Sequence, residues 1–357
     1  MCRWLVTEAE EYEIWEKKMK QARLIEPEKI VFEDVEKPAP ARGQVLIKVK
    51  RIGVCGSDIH AYYDKHPYIS CPIVQGHEFS GEIVELGEGV ENFIVGERVT
   101  VMPQLVCGRC YPCTHNSYHI CNDLKVIGCQ ANGAAREYIP IDNQLVIKLP
   151  DEMSFDHGAM VEPVAVGVHA VSRLGDVSGM NALILGAGTI GNLTAQTAKG
   201  LGARSVLITD ISDHRLGIAR DCGIDHTVNV SREILETRLD EAFGADRADA
   251  TLECVGVEET IADAIALARK GTDIVIVGVF AERPTVDIGL VQDKELRLIG
   301  TLMYQKEDYR SAIDLIKAGK IHLDSLISKH FAFEDYPEAY KYIEAYGDKT
   351  LKVLIDL

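Results

Sequence analysis

The sequence predicts an α/β protein of two domains, a doubly wound parallel sheet joined to a small β-rich domain whose loops hold most of the Cys and His. Three observations carry this. At 357 residues the chain exceeds one ordinary core and suits two domains of roughly 100 to 200 residues each. Beyond Asp151, apolar runs of parallel-strand type (ALILGAG, SVLITD, DATLECVG, DIVIVGVF) alternate with helical segments, as a sheet covered on both faces requires. Between Gln44 and Val101, shorter β-type runs (VLIKVKRIGV, GEIVELG, ERVTVM) are punctuated by Gly and Pro.

Composition narrows the classes. Hydrophobic residues make up 46% and charged residues 26%, the balance of a folded globular protein. Apolar stretches such as Val275 to Phe280 are far shorter than the roughly 18 to 20 residues that span a bilayer. Glu8, Glu10, Glu11 and Glu13 replace the basic and apolar segments of a signal peptide, so a cytoplasmic location is expected. A formal charge of -17 repels phosphate backbones and anionic lipids, which argues against nucleic acid and membrane partners.

In chain order, residues 1–18 read as an N-terminal arm, with helix-like spacing of Trp4, Leu5, Ile14 and Trp15; Met19 reads as a natural beginning. Residues 19–164 form the β-rich domain and 165–303 the doubly wound domain. From Tyr304 a helix (YRSAIDLIKAG) and a last strand (KVLIDL) are expected to return to the first domain, making it 19–164 with 304–357.

In the doubly wound part, Gly186, Gly188 and Gly191 form G-x-G-x-x-G directly after an apolar strand and at the opening of a helix. Glycine allows the tight turn, the close approach to a pyrophosphate and the helix packing, while helix amides face the anion. Asp210 ends the next strand about 20 residues on, where a carboxylate accepts from an adenosine ribose and repels a 2′-phosphate, favouring NAD. Arg215 stands where it could stack over the adenine or greet a phosphate. Ile190, Val277 and Val279 complete the expected cofactor set.

Ten cysteines in a reducing compartment point to metal. Cys107, Cys110, Cys113 and Cys121, spaced x2, x2 and x7, match a closed tetrahedral zinc site; an iron–sulfur cluster is the rival with similar ligands. Cys55 in VCGSD, His77 and Glu78 in QGHEF, and Glu162 in MVEP give the mixed ligand set of a catalytic zinc with one open position.

These motifs, VCGSDIH, GHEFSGEIVELGEGVENFIVGERV, the four-cysteine lobe, MVEPVAVGVHA and GAGTIG, occur in the order found in the zinc-containing medium-chain dehydrogenase/reductase superfamily, which the chain resembles from about Met19 to Leu357. It is most similar to the sorbitol dehydrogenase-like branch, including sugar-acid and butanediol dehydrogenases. The resemblance implies a Rossmann domain and a GroES-like catalytic domain, two zinc ions per chain, NAD, and a homodimer or homotetramer. It implies catalytic zinc on Cys55, His77 and Glu78, with Glu162 near the metal-bound water or as the alternative third ligand. It makes Ser57 the proton-relay hydroxyl, His60 the histidine that hands the proton to solvent, Asp58 the carboxylate that orients a zinc histidine, and Tyr304 a substrate residue. The expected reaction is hydride transfer between NAD and a secondary alcohol of a small polyhydroxylated substrate: a polyol, cyclitol or sugar acid. A vicinal diol is the alternative substrate, and a non-catalytic nucleotide-binding relative the alternative class. Glu162 replaces the cysteine usual in primary alcohol dehydrogenases. Ala61 stands where sorbitol dehydrogenases have tyrosine, and Met303 where they have arginine, so sorbitol itself is not implied.

Overall fold

A computed structural model describes residues 18–357, so the expected arm lies outside the described residues except for Lys18. The chain begins with β1 (Lys18–Glu26), β2 (Lys29–Glu36), β3 (Gln44–Gly53), α1 (Gly56–Tyr62), β4 (Glu78–Leu86), β5 (Arg98–Val101) and β6 (Gln104–Leu105). It continues through α2 (Tyr111–Thr114), β7 (Lys125–Val126), β8 (Tyr138–Asp142), β9 (Val146–Lys148) and α3 (Phe155–Ser172). Then come β10 (Asn181–Leu185), α4 (Thr189–Gly200), β11 (Ser205–Asp210), α5 (Asp213–Asp221), β12 (His226–Asn229), α6 (Leu235–Phe243) and β13 (Ala250–Glu253). The rest is α7 (Glu258–Leu267), β14 (Asp273–Ile276), α8 (Ile288–Asp293), β15 (Arg297–Gly300), α9 (Lys306–Lys317), β16 (Ile327–Ala332), α10 (Tyr336–Ala345) and β17 (Lys352–Asp356).

Two sheets organise the molecule. The six-stranded one runs β12-β11-β10-β13-β14-β15, every pair parallel. Its strands are apolar on both faces because helices cover both: Ala182 and Ile184 of β10 enter one core, and Leu183 and Leu185 enter the other. The strand order reverses between β10 and β13, the switch point where a dinucleotide binds in such sheets. The seven-stranded sheet runs β16-β17-β3-β4-β5-β9, with β8 also on β3, and is antiparallel except for β16 with β17.

The last strand sets Leu354 opposite Gly53, so the chain's end completes the sheet that its beginning founded. Between the sheets lies α3, capped by the Ser154 hydroxyl accepting from the His157 amide at 3.1 Å. Met160, Val161 and Val164 of α3 share one core with Leu193 of α4, Tyr309 of α9 and Leu354 of β17. The helix runs unbroken through residue 164, so the chain crosses from one half to the other inside a packed helix and not through a linker. Among the described residues no helix is long and apolar enough to cross a membrane.

Candidate metal centres and cofactor site

Strand β3 ends at Gly53, and Cys55 caps α1 immediately beyond it. Strand β4 opens with Glu78 directly across from Gly53, which carries His77 into the same space. One ligand atom from each of Cys55, His77 and Glu78 lies within 4.8 Å of the others, with His77 and Glu78 buried. A thiol, an imidazole and a carboxylate this close suit a zinc with a free fourth position. Asp58 is fully buried; one oxygen accepts from the Cys55 amide at 3.1 Å, and the other stands 3.6 Å from His77 Nδ1 with no hydrogen-bond partner. Burial works against charge on His77, but the Asp58 carboxylate and Cys55 outweigh it and hold the imidazole well above its usual range.

Two carboxylates share this pocket. Glu78 is gripped by Lys352 of β17, whose Nζ donates to both its oxygens at 2.6 and 2.7 Å and to the Val54 carbonyl at 3.2 Å. Gly53 makes room for that pair: a Cβ there would sit 2.2 Å from Glu78 Oε2. Glu162 of α3 stands outside the three-ligand cluster, and its carboxylate accepts the Tyr304 hydroxyl. Burial and the neighbouring Glu78 push Glu162 up to about 7.

The four cysteines 107, 110, 113 and 121 also converge within 4.8 Å. Cys110 Sγ lies 3.4 Å from Cys113 Sγ and 3.7 Å from Cys121 Sγ. A zinc tetrahedron with bonds of about 2.3 Å has sulfur–sulfur edges of about 3.8 Å. Sulfurs this close leave no space for an iron–sulfur cluster between them, so the geometry fits one ion. Backbone amides prepare the thiolates. The Cys110 amide donates to Cys107 Sγ at 3.4 Å, and the Cys107 and Asp123 amides donate to Cys121 Sγ, both at 3.3 Å. Amides of Asn122 and Cys113 bring the Cys110 thiol down to about 6.

At the switch point the three glycines do different work. Gly186 takes φ +97°, closed to most side chains. A Cβ on Gly191 would lie 1.8 Å from the Gly186 carbonyl, whereas one on Gly188 meets nothing within 4 Å, which leaves open the side a pyrophosphate approaches. Asp210 accepts from the Ala187 and Ser212 amides, both at 2.9 Å, and retains lone pairs for a ribose. Arg215 is pinned to the Gly347 carbonyl at 2.7 Å and stands 3.9 Å from Asp210. Ile190 and Val277 are half-buried, and Val279 is 83% exposed beyond β14.

Ser57 is half-buried and His60 exposed, three residues apart on α1 and therefore on one face. Tyr304, expected as a substrate residue, is fully buried and places its hydroxyl on Glu162, beside the Cys55, His77 and Glu78 cluster. Ala61 is buried in the β-rich core. Lys352 was missed by sequence reasoning; its signal is a charged residue opening a strand directly before the apolar run Val353 to Ile355.

Comparison with known proteins matches two family models: the alcohol dehydrogenase GroES-like domain at residues 41–151 and the zinc-binding dehydrogenase domain at 189–318. Sorbitol dehydrogenase of Halalkalibacterium halodurans is 35% identical over 323 residues, covering 89% of this chain and 93% of its own. L-idonate 5-dehydrogenase of Vitis vinifera is 32% identical over 325 residues, covering 88% of each. A short chain alcohol dehydrogenase of E. coli solved with NADH superposes with a TM-score of 0.89 at 30% identity, covering 96% of this chain and all of that one. A zinc-binding dehydrogenase of Sinorhizobium meliloti bound to NADP does so with 0.89 at 31%, covering 95% and 99%.

Proposed function

The chain belongs to the zinc-containing medium-chain dehydrogenase/reductase superfamily, and from that premise we propose that it moves hydride between NAD and a secondary alcohol of a polyol or sugar acid. The observation that carries the reading is the gathering of Cys55, His77 and Glu78 in a protein whose switch point holds an open glycine fingerprint. Two zinc ions per chain fit the two ligand clusters. When bound, zinc supplies acidity to a substrate hydroxyl, and NAD supplies the hydride acceptor.

The chain's own groups do the rest. Cys55 and His77, with Glu78 or Glu162, hold the metal, and the buried Asp58 carboxylate, 3.6 Å from His77 Nδ1, attracts that side of the ring. Ser57 receives the substrate proton in a hydrogen bond as it gives up its own, and His60, exposed on the same helix face, passes a proton on to water. Asp210 accepts from ribose hydroxyls and repels a 2′-phosphate, which favours NAD over NADP. We place the enzyme in the cytoplasm as a homodimer or homotetramer, with a small polyhydroxylated molecule as its partner.

The test offers a panel of secondary alcohols, polyols and sugar acids with NAD and with NADP, read by nicotinamide absorbance beside metal analysis. Expected are two zinc ions per chain and fastest turnover on a polyol-type secondary hydroxyl with NAD. Ser57→Ala should lose about 100-fold in turnover with NAD affinity unchanged. No turnover on any panel member, or a preference for NADP, would overturn the reading.

A further inference from the structure

Four hydrogen bonds join the cysteine lobe and its base to the three residues 304–306. Gln305 Nε2 donates to the Asn116 carbonyl at 2.8 Å and lies 3.1 Å from His119 Nδ1. The Lys306 amide donates to the Tyr118 hydroxyl at 2.7 Å. Gln104 of β6 donates to the Tyr304 carbonyl at 2.7 Å. Asn116, Tyr118 and His119 lie between Cys113 and Cys121, while β6 pairs with β7 to bracket the lobe. The clamped segment opens at Met303, which takes φ +52°, a conformation a side-chain-bearing residue keeps only where its surroundings enforce it.

The segment ends on the active site. Tyr304 is wholly buried, and its hydroxyl donates to Glu162. Behind it Tyr309 packs edge-on, with ring centroids 5.1 Å apart, and donates to the Val101 carbonyl at 3.0 Å, so the phenol has no free direction to swing. Below, Asp308 accepts from the Gln305 amide at 2.7 Å and meets His169 Nδ1 of α3 at 2.8 Å. The helix that carries Glu162 is thereby tied to the same clamp.

We propose that the four-cysteine lobe positions the catalytic carboxylate: it clamps residues 304–306, and Tyr304 acts as a positioning residue that fixes where Glu162 stands beside the catalytic metal. A closed metal site usually contributes stability alone; here its loop is also the wall against which Tyr304 is set. The proposal rests on the metal reading of the Cys55, His77 and Glu78 site.

The experiment uses full-length protein with cobalt(II) loaded in place of zinc, because the visible ligand-field bands of cobalt report the geometry at the catalytic metal independently of turnover. Three variants are compared with the wild type: Tyr304→Phe, the clamp variant Tyr118→Phe with Gln305→Ala, and Lys317→Ala as a surface control. Tyr304→Phe should shift the band attributable to the Cys55 site and lower kcat about 10-fold or more, the usual scale for an outer partner of a metal site, with KM nearly unchanged. The clamp variant should shift the same band in the same direction and lower kcat by a smaller factor while both metals stay bound. Should the clamp variant leave band and kcat at wild-type values, the link from lobe to Glu162 is overturned. A Tyr304→Phe protein with an unmoved band would remove the positioning role of the phenol. A wild type with no cobalt band from the Cys55 site would instead overturn the metal reading beneath it, an outcome separable from the other two.

Discussion

Glu78 and Glu162 meet the same difficulty in different ways. Each is a buried carboxylate beside another, and a buried charge is tolerated only when paired or kept neutral. Glu78 is paired: Lys352 reaches across from β17 and contacts both oxygens, and the attraction of Glu78 raises the lysine pKa against the opposing effect of burial. Glu162 is held near neutrality, drawn up to about 7 and given a phenol in place of a cation. Removing one partner of a buried pair strands the other. Lys352→Met is therefore expected to cost about 3 to 5 kcal/mol in urea unfolding, and adding Glu78→Gln to it should recover part of the loss. A single variant as stable as wild type would show that Glu78 does not need the lysine. The cysteine lobe was legible at this scale because its ligands sit close in sequence. The Lys352–Glu78 pair was not, since partners 274 residues apart leave no local pattern.

At the scale of elements, periodicity reported faithfully wherever one element is buried by its own neighbours. β10 reads as a strand apolar on both faces, and it is covered on both. The short turn connections depend on contacts that periodicity does not encode. Helix α7 shows this: its last carbonyls, those of Ile265 and Ala266, together with Ala268 beyond it, all accept from the Lys294 ammonium, at 3.1, 2.6 and 3.0 Å. A cation placed on the negative end of a helix satisfies carbonyls that would otherwise lack partners. Lys294→Met should thus lower stability by about 1 to 2 kcal/mol, with faster hydrogen exchange confined to the last turn of α7. Uniform loss of protection across the sheet would assign Lys294 a wider role than a cap. Tyr304 shows the same limit. Its place near the active-site motifs is visible in sequence, but its bond to Glu162 depends on the packing of Tyr309 and α3 around it.

Across the whole molecule, the two sheets are joined where the metal ligands and the cofactor loop meet. Thr189, the first residue of α4, donates to the Leu351 carbonyl at 2.7 Å, and the Ser212 hydroxyl donates to the Asp348 carbonyl at 3.2 Å. The segment just before Lys352 is thereby tied to the cofactor half of the protein. Protonation at the shared site must then appear in the stability of the whole chain. In metal-free protein both His77 and Glu162 bind protons more tightly than they would unfolded. A folded-state pKa raised above the unfolded value gives stability that is complete below the unfolded pKa and is lost as pH rises through the folded one. For Glu162 that window runs from about 4.5 to about 7, and its full loss amounts to about 3 kcal/mol. His77 extends the same trend above its ordinary 6.5. Zinc requires the deprotonated ligands and supplies the positive charge that the protons had provided, so loading should flatten or reverse the slope. Urea midpoints measured across this range with chelator and with zinc should diverge most near neutral pH, and Glu162→Gln should remove most of the metal-free slope. Parallel curves with and without zinc would mean that neither group titrates in contact with the metal, and the pocket would then need another source for its binding energy.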